Sequence, residues 1–282
     1  MFIDTRQVSD GKALIVTVCI IGGGVAGLTI ARELEKRGID TCVLESGGFE
    51  PDDATRDLYR GEATGIDYQF ADGCRARFLG GSSNCWGGWS RPLDRWDFEQ
   101  RPWIPRSGWP FGLDELAPWY ARAHAVLKLG PVNFDPAYWE EAIGRTDVRR
   151  LPLSSGSVRD TVSQFSPPVR FGRHYRSELK AARHARIFLH ANVTEIVPDP
   201  LCTRIQQVRV QTLDGKRMTV AARLFVLATG GIENARLLLA SNRVMQAGLG
   251  NQHDLVGRYF MDHPRMVVGR VRFSDAWSRH KL

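Results

Sequence analysis

The sharpest constraint on this chain is the run Val18-Cys19-Ile20-Ile21-Gly22-Gly23-Gly24-Val25-Ala26-Gly27. A second apolar run, Thr41-Cys42-Val43-Leu44, follows it and ends at Glu45. In order these residues read as a strand, a glycine turn, a helix, a second strand and an acid. Gly22 permits the tight turn, Gly24 lets backbone approach a pyrophosphate, and Gly27 lets the helix pack close to the strand. The helix N-terminus offers free N–H groups and the positive end of a dipole to phosphates. Glu45 lies 18 residues past Gly27, where a carboxylate can accept hydrogen bonds from a ribose. A lone GxGxxG is weak evidence, because glycine turns are common. In this chain the context agrees with it. Leu28, Ala31 and Leu34 share one helix face, Arg32, Glu33, Glu35, Lys36 and Arg37 lie mostly outside it, and Gly38 is placed to end the helix. The pattern predicts a βαβ unit that holds the ADP half of a dinucleotide, ahead of the same unit without a ligand.

With 282 residues the chain is long enough for one large domain or two ordinary ones. Its 43% apolar and 24% charged residues suit a water-soluble globular protein. The net charge of +7 is carried mostly by arginine. The arginines are scattered, with no dense basic run and no recognisable reading helix, which argues against nucleic acid. Cys19, Cys42, Cys74, Cys85 and Cys202 form no CxxC pair. The odd count argues against a disulfide framework and for a reducing, cytoplasmic setting; Cys19 and Cys42 read as small core residues. Asn192-Val193-Thr194 is read as an accidental match to a glycosylation acceptor. Ala13 to Ile30 contains four glycines, its apolar run is too short for a membrane span, and the residues before it do not form a basic leader.

Four blocks follow one another: the βαβ start at 13–48, a glycine-rich segment at 71–90, a Trp-, Pro- and Arg-rich region at 91–185, and a return to strands and a helix at 186–264. In the third block Asp114 is expected to cap a helix running to about Lys128, with Pro118 in its first turn and Gly130 after it. Trp103, Trp109, Trp119 and Trp139 read as core or domain-interface residues ahead of a sugar-stacking cage. In the fourth block, Ile187 to His190 and Asn192 to Val197 read as strands. Arg204 to Thr212 and Arg217 to Ala221 alternate around the Asp214-Gly215 turn. Arg223 to Leu227 is expected to be a buried strand that runs into a second glycine turn, Ala228-Thr229-Gly230-Gly231, and a helix from Ile232 to Ala240. Two strand–glycine–helix crossings predict one sheet with a ligand across its carboxyl edge.

Four segments resemble the N-terminal half of the glucose–methanol–choline oxidoreductases, FAD enzymes that oxidise alcohols and sugars, and in particular the pyranose-oxidase-like branch. They are Gly22 to Gly27 with Glu45; Arg77-Phe78-Leu79-Gly80-Gly81-Ser82-Ser83-Asn84-Cys85-Trp86-Gly87-Gly88; Leu227 to Leu238; and Val256 to Pro264. The resemblance implies a Rossmann-like α/β FAD-binding domain with a β-meander (1–90 and 186–264). It also implies part of an α+β substrate or cap domain (91–185 and 265–282). FAD is the cofactor it implies. Gly22, Gly24, Val25, Ala26 and Gly27 would hold the pyrophosphate and Glu45 the adenosine ribose. Arg77 and the stretch Gly80, Gly81, Ser82, Ser83, Asn84, Cys85 and Trp86 would run along the flavin, Val193 would contact adenine, and Thr229 and Gly230 would lie near the pyrophosphate. The match to a flavin-linked histidine falls on Cys85, where noncovalent binding is favoured over a thioether link. His263 is read as structural.

In this family the histidine that takes the substrate proton comes from a later C-terminal segment, so no catalytic residue is assigned. No metal ligand is assigned either. The expected strand Met266 to Phe273 would lack neighbours if Leu282 were the true end. The chain is therefore expected to be a fragment, a split gene product or one part of an assembly, with a C-terminal complementing segment among its candidate partners. The leading reading is an FAD-dependent oxidoreductase acting on CH–OH groups of sugars or other alcohols, with an electron acceptor as partner. The alternatives are a non-catalytic FAD-binding fragment and an NAD(P)H-dependent flavoprotein; the latter usually carries a second complete GxGxxG unit, which is absent from this sequence.

Overall fold

The structure is a computed structural model that describes residues 1–65, 74–145, 150, 156, 158–167, 169–262, 266–267 and 269–270. In chain order the first elements are β1 (Phe2–Asp4), β2 (Lys12–Ile21), α1 (Val25–Glu35), β3 (Thr41–Leu44) and α2 (Asp53–Asp57). Next come β4 (Trp89–Ser90), α3 (Leu113–Leu127), α4 (Pro136–Ile143) and β5 (Gln164–Phe165). The series ends with α5 (Phe171–His174), α6 (Arg176–Ala181), β6 (Ala185–Leu189), β7 (Asn192–Pro198), β8 (Ile205–Gln211), β9 (Arg217–Leu227) and α7 (Gly231–Ala240). These elements fall into two compact units, one of Met1–Trp86 with Arg170–Asp262 and one described through Gly87–Val169. The sequence pattern places the borders at 90/91 and 185/186, whereas α5 and α6 fall in the first unit.

The first unit is built on a seven-stranded sheet in the order β1-β6-β3-β2-β9-β8-β7. The first five strands run parallel, and β7, β8 and β9 form an antiparallel meander. The fold is therefore the expected α/β one, with a Rossmann-like parallel sheet and a β-meander. One apolar core joins Cys19, Ile21, Cys42, Leu44 and Phe188 to Ile196, Val208, Val210, Val220 and Leu237. The alternate residues Val18, Ile20, Val43 and Ile187 are also buried, on the opposite face with Leu28 and Ala31 of α1. Burial on both faces explains why these strands read as continuous apolar runs. Cys19 and Cys42 are register partners, both fully buried, and the contact with Cys42 together with burial pushes the Cys19 thiol up.

One strand departs from expectation. β9 is a single strand that joins the two expected segments, and Leu224 within it is 57% exposed. The reason is the placement of α1, which packs on β2, β3 and β6. The α1 end is tied down by Glu35, whose carboxylate accepts from the backbone N–H groups of Arg183, His184 and Ala185 at 2.8 Å each. Burial pushes this carboxyl up, but the three donors outweigh it and hold the group below the usual carboxylate range. A depressed folded value contributes stability above the unfolded value that is lost as pH falls through the folded one. Glu35→Ala should therefore lower the thermal midpoint at neutral pH. The gap to the parent should close as pH drops below the ordinary glutamate value of 4.5. Thermal melts of both proteins over that pH range check this.

In the second unit, α3 is capped by Gly112 and ends at Lys128 in the left-handed region, φ 58°. Asp114 lies inside the first turn and pairs with Arg95 at 2.9 Å, so it is not the cap. Pro118 is the sixth helical residue, two positions later than an Asp114 cap would put it, and it removes the bond to the Asp114 carbonyl. Trp103, Trp109 and Trp119 are 77%, 53% and 57% exposed and so are not core residues. Trp139 is half-buried, its Nε1 donating to the Asn133 carbonyl at 2.8 Å. The physical reason is a thin core: α3 buries only His124, and α4 buries no residue fully. The expected strand at Met266 to Phe273 lies largely outside the described residues, as does His263.

Candidate functional site

The parallel strands end together at one edge of the sheet. There the Gly22 N–H donates to the Leu44 carbonyl at 2.8 Å and the Ala228 N–H to the Ile21 carbonyl at 2.8 Å. The two strand–glycine–helix crossings are thus neighbours. A Cβ on Gly22, whose φ is +107°, would fall 2.5 Å from the Ala228 carbonyl oxygen. Gly27 is where α1 crosses the turn, and a Cβ there would overlap the Gly22 carbonyl oxygen. The N-caps of α1 and α7 are Gly24 and Gly230, and neither helix has a side-chain cap. Both N-termini therefore present backbone donors toward the same edge, the arrangement that favours an anion.

Glu45 closes this turn from behind. Its Oε2 accepts from the Gly23 N–H and its Oε1 from the Gly47 N–H, each at 2.8 Å. Burial pushes the carboxyl up, against those two donors and the Arg77 guanidinium. Each oxygen keeps a second lone pair, so a ligand hydroxyl can still be accepted.

The loop Arg77–Trp86 meets the first turn directly. The Gly80 N–H donates to the Gly23 carbonyl at 2.8 Å. A Cβ on Gly81, at φ +52°, would sit 2.9 Å from the Gly24 Cα. The loop is held from within by Ser83 Oγ, which donates to the Gly80 carbonyl at 2.7 Å, and by Asn84 Nδ2, which donates to the carbonyls of Leu79 and Gly81. It is held from outside by Arg170, whose Nη1 donates to the Ser83 carbonyl at 2.6 Å and the Trp86 carbonyl at 2.9 Å. Arg170→Gln should raise hydrogen exchange at the amides of Ser82 to Trp86 with little change in β2 and β3. Unchanged exchange in the loop would show that Arg170 does not hold it.

A cavity of about 410 Å³ opens at this edge, within the usual range for small-ligand sites. Of the residues singled out in the sequence, Gly22, Gly24, Val25, Ala26, Glu45, Arg77, Gly81, Ser82, Val193, Thr229 and Gly230 line it. Gly27, Gly80, Ser83 and Asn84 instead hold the lining in place. Cys85 is exposed at the far end of the loop, and partial desolvation pushes its thiol up against the pull of Arg170. Trp86 packs edge-on against Phe171. The sequence reading missed Ser46, Tyr59, Glu233, Asn234 and Arg236, which also line the cavity. Asn234 Oδ1 accepts from both the N–H and the hydroxyl of Thr229, fixing the second turn. Glu233 and Asn234 lay inside a quoted motif and were legible there; Tyr59 and Arg170 carry no local signal. Among the described residues no group of His, Cys, Asp and Glu is arranged to hold a metal. Among them, too, no helix is long and apolar enough to cross a membrane.

A family model described as FAD dependent oxidoreductase matches residues 17–250. The chain is 26% identical over 295 residues to paromamine 6'-oxidase of Streptomyces fradiae, covering 86% of this chain and 52% of that protein. It is 24% identical over 315 residues to 2-methyl-1,2-propanediol dehydrogenase of Mycolicibacterium austroafricanum, covering 90% of this chain and 56% of that protein. Among solved structures, a formate oxidase of Aspergillus oryzae superposes with a TM-score of 0.51 at 17% identity, over 82% of this chain and 48% of that one; this likeness concerns the fold alone. The chain spans about half the length of the curated relatives it matches.

Proposed function

This chain belongs to the FAD dependent oxidoreductase family, and from that premise we propose that it is the cofactor-binding portion of an enzyme oxidising CH–OH groups of sugars or other alcohols. The observation that carries the reading is the 2.8 Å bond from the Gly80 N–H to the Gly23 carbonyl. It brings the pyrophosphate-type turn and the second glycine loop within reach of a single extended dinucleotide.

The residues present fit FAD on physical grounds. A Cβ on Gly22 would meet the Ala228 carbonyl and one on Gly81 the Gly24 Cα, so both turns stay bare of side chains where a flat, anionic group would approach. Two uncapped helix N-termini face the same cavity. In this reading Gly22 to Gly27 hold the pyrophosphate with Thr229 and Gly230, Glu45 accepts from the adenosine ribose, and Val193 meets the adenine. Arg77 and Gly80 to Trp86 run beside the isoalloxazine ring, with no covalent link at Cys85. Bound FAD would supply the two-electron acceptor for the carbinol carbon; the chain's own part is to bind it, orient it and exclude water behind it. The first unit would be the FAD-binding domain and Gly87–Val169 part of the substrate or cap domain.

The names of the relatives, paromamine 6'-oxidase and 2-methyl-1,2-propanediol dehydrogenase, support a hydroxyl of a sugar or of a small alcohol as the substrate. A complementing polypeptide segment would supply the proton acceptor, and oxygen or a separate carrier would take the electrons. The thiols of Cys19, Cys42, Cys85 and Cys202 suit a reducing, cytoplasmic setting. A second reading, a flavin-binding fragment without activity of its own, is favoured by the half-length coverage of the relatives. Titration with FAD and anaerobic addition of amino sugars, sugars and diols separate the two. Bleaching of the flavin absorbance by any of them supports the enzyme; binding without bleaching supports the fragment. Failure to bind FAD removes both.

A further inference from the structure

Glu233 stands at the third position of α7, and its side chain is 8% exposed. A carboxylate in the first turn of a helix is favoured by the dipole, yet this one also collects guanidinium groups. Arg77 Nη2 donates to its Oε2 at 2.6 Å, Arg236 Nε donates to the same oxygen at 2.8 Å, and Arg75 lies 3.8 Å from Oε1. Arg77 is itself 88% buried, and its other terminal nitrogen donates to Ser46 Oγ at 3.0 Å. Ser46 in turn donates to Asn192 Oδ1 at 2.6 Å. The Tyr59 ring lies against both Arg75 and Arg77, with guanidinium carbons 4.2 and 4.4 Å from its centroid. One polar chain thus crosses four segments of the cavity wall: the start of α7, the head of the Arg77–Trp86 loop, the end of β3 and the start of β7.

We infer that Glu233 is a positioning residue which, through Arg77, fixes the spacing between the ADP end of the cavity and the loop expected to meet the flavin. The inference rests on the FAD reading above and adds a role that none of the glycines can perform. The glycines create space, and a charge pair sets distance. The bond between Gly80 and Gly23 anchors the middle of the loop and the Leu79 N–H donates to the Gly48 carbonyl at 3.0 Å, while Arg77 adds the charged link from the loop head to α7. Removing the Glu233 charge leaves a mostly buried guanidinium without its main counter-ion, so the loop head has to shift or the charge has to find water.

The consequence differs between ligands. In the FAD reading ADP meets the first turn, the Glu45 end, Val193 and the Thr229–Gly230 turn, and stops short of the loop. FAD also spans the loop, so only FAD feels the spacing. The test uses the full chain and measures Kd for FAD and for ADP. Glu233→Gln is expected to weaken FAD on the order of 10- to 100-fold while ADP stays within about twofold. Ser46→Ala, a neutral change further along the same chain of contacts, should shift FAD in the same direction, and Glu233→Asp should recover part of the loss. Equal losses for FAD and ADP would assign Glu233 a merely structural role, and unchanged FAD affinity in Glu233→Gln would show that the spacing does not depend on it; either result overturns the inference. A wild-type chain that binds ADP but not FAD removes the FAD reading and this inference with it. A wild-type chain that binds FAD, beside a variant that does too, removes the inference alone.

Discussion

Gly27→Val is expected to abolish FAD binding and to lower the thermal midpoint sharply. A side chain at this position meets the Gly22 carbonyl oxygen, with Ile20 Cγ2 3.2 Å from the same Cβ. Neither neighbour can yield cheaply. The Gly22 carbonyl belongs to a turn held by the bond from its own N–H to Leu44, and Ile20 is fully buried in β2. The helix must therefore move away from the sheet, uncovering Leu28 and Ala31, which are both fully buried. Overpacking of this kind costs about 1–3 kcal/mol, and more when rigid backbone is the obstacle. Set against a total stability of roughly 5–15 kcal/mol, the domain can remain folded while its N-terminal turn is displaced. Calorimetry and FAD titration on the same sample give the answer. A variant that melts within about 2 °C of the parent, a shift worth at most about 1 kcal/mol for a domain of this size, would show that helix and strand need not approach so closely. Retained FAD binding would show that the turn does not set the pyrophosphate position.

The same residue shows why part of this fold could be read from the sequence and part could not. The strand, turn and helix at Val18 to Leu34 are specified by neighbours within one supersecondary unit, so periodicity and glycine spacing suffice. The meander was legible for the same reason: Asp214-Gly215 sits between two alternating runs, and β8 and β9 pair across it. That β9 would lie beside β2 could be inferred from two matching glycine crossings. That its Leu224 would stand in the open could not, because exposure depends on where a distant helix comes to rest. As core residues, Trp103, Trp109 and Trp119 failed on the same ground. Their size argued for burial, but α3 and α4 bury too little for the argument to hold. Asp114 was mistaken for a cap because its partner, Arg95, is 19 residues away and invisible to a local motif.

The site divides along a similar line. Residues that a ligand needs for space are glycines, and glycine in a fixed rhythm can be seen in a sequence. Residues that hold the site together are ordinary polar side chains whose partners are far apart in the chain. Arg170 reaches Ser83 across 87 positions and Arg77 reaches Glu233 across 156. No spacing rule links such pairs, so Arg170, Ser46 and Tyr59 emerge only from the fold. Glu45 falls between the two classes. Its place after the second strand announced it, but its occupation by two backbone donors did not follow from the sequence.

That occupation makes Glu45→Leu the second large effect. The leucine is close in size to glutamate and apolar, so the desolvation of a buried carboxylate disappears along with the group. Two backbone N–H groups, those of Gly23 and Gly47, lose their acceptor at the same moment. Each buried donor left without a partner costs about 1–3 kcal/mol, so a net loss of a few kcal/mol is expected after the relief of burying charge. The loss should also be local. Gly23 carries the carbonyl that receives the Gly80 N–H, so a turn freed at Gly23 loosens its seam with the loop. FAD binding should fall by more than 100-fold, which is about 2.7 kcal/mol or more. ADP should weaken as well, because Glu45 serves the ADP end. That shared loss distinguishes Glu45 from Glu233, whose removal is expected to spare ADP. Parallel titrations of the two variants with both ligands check the contrast. If Glu45→Leu keeps its ADP affinity, the carboxylate is a structural tie for the turn and the ribose must find its acceptor elsewhere in the cavity.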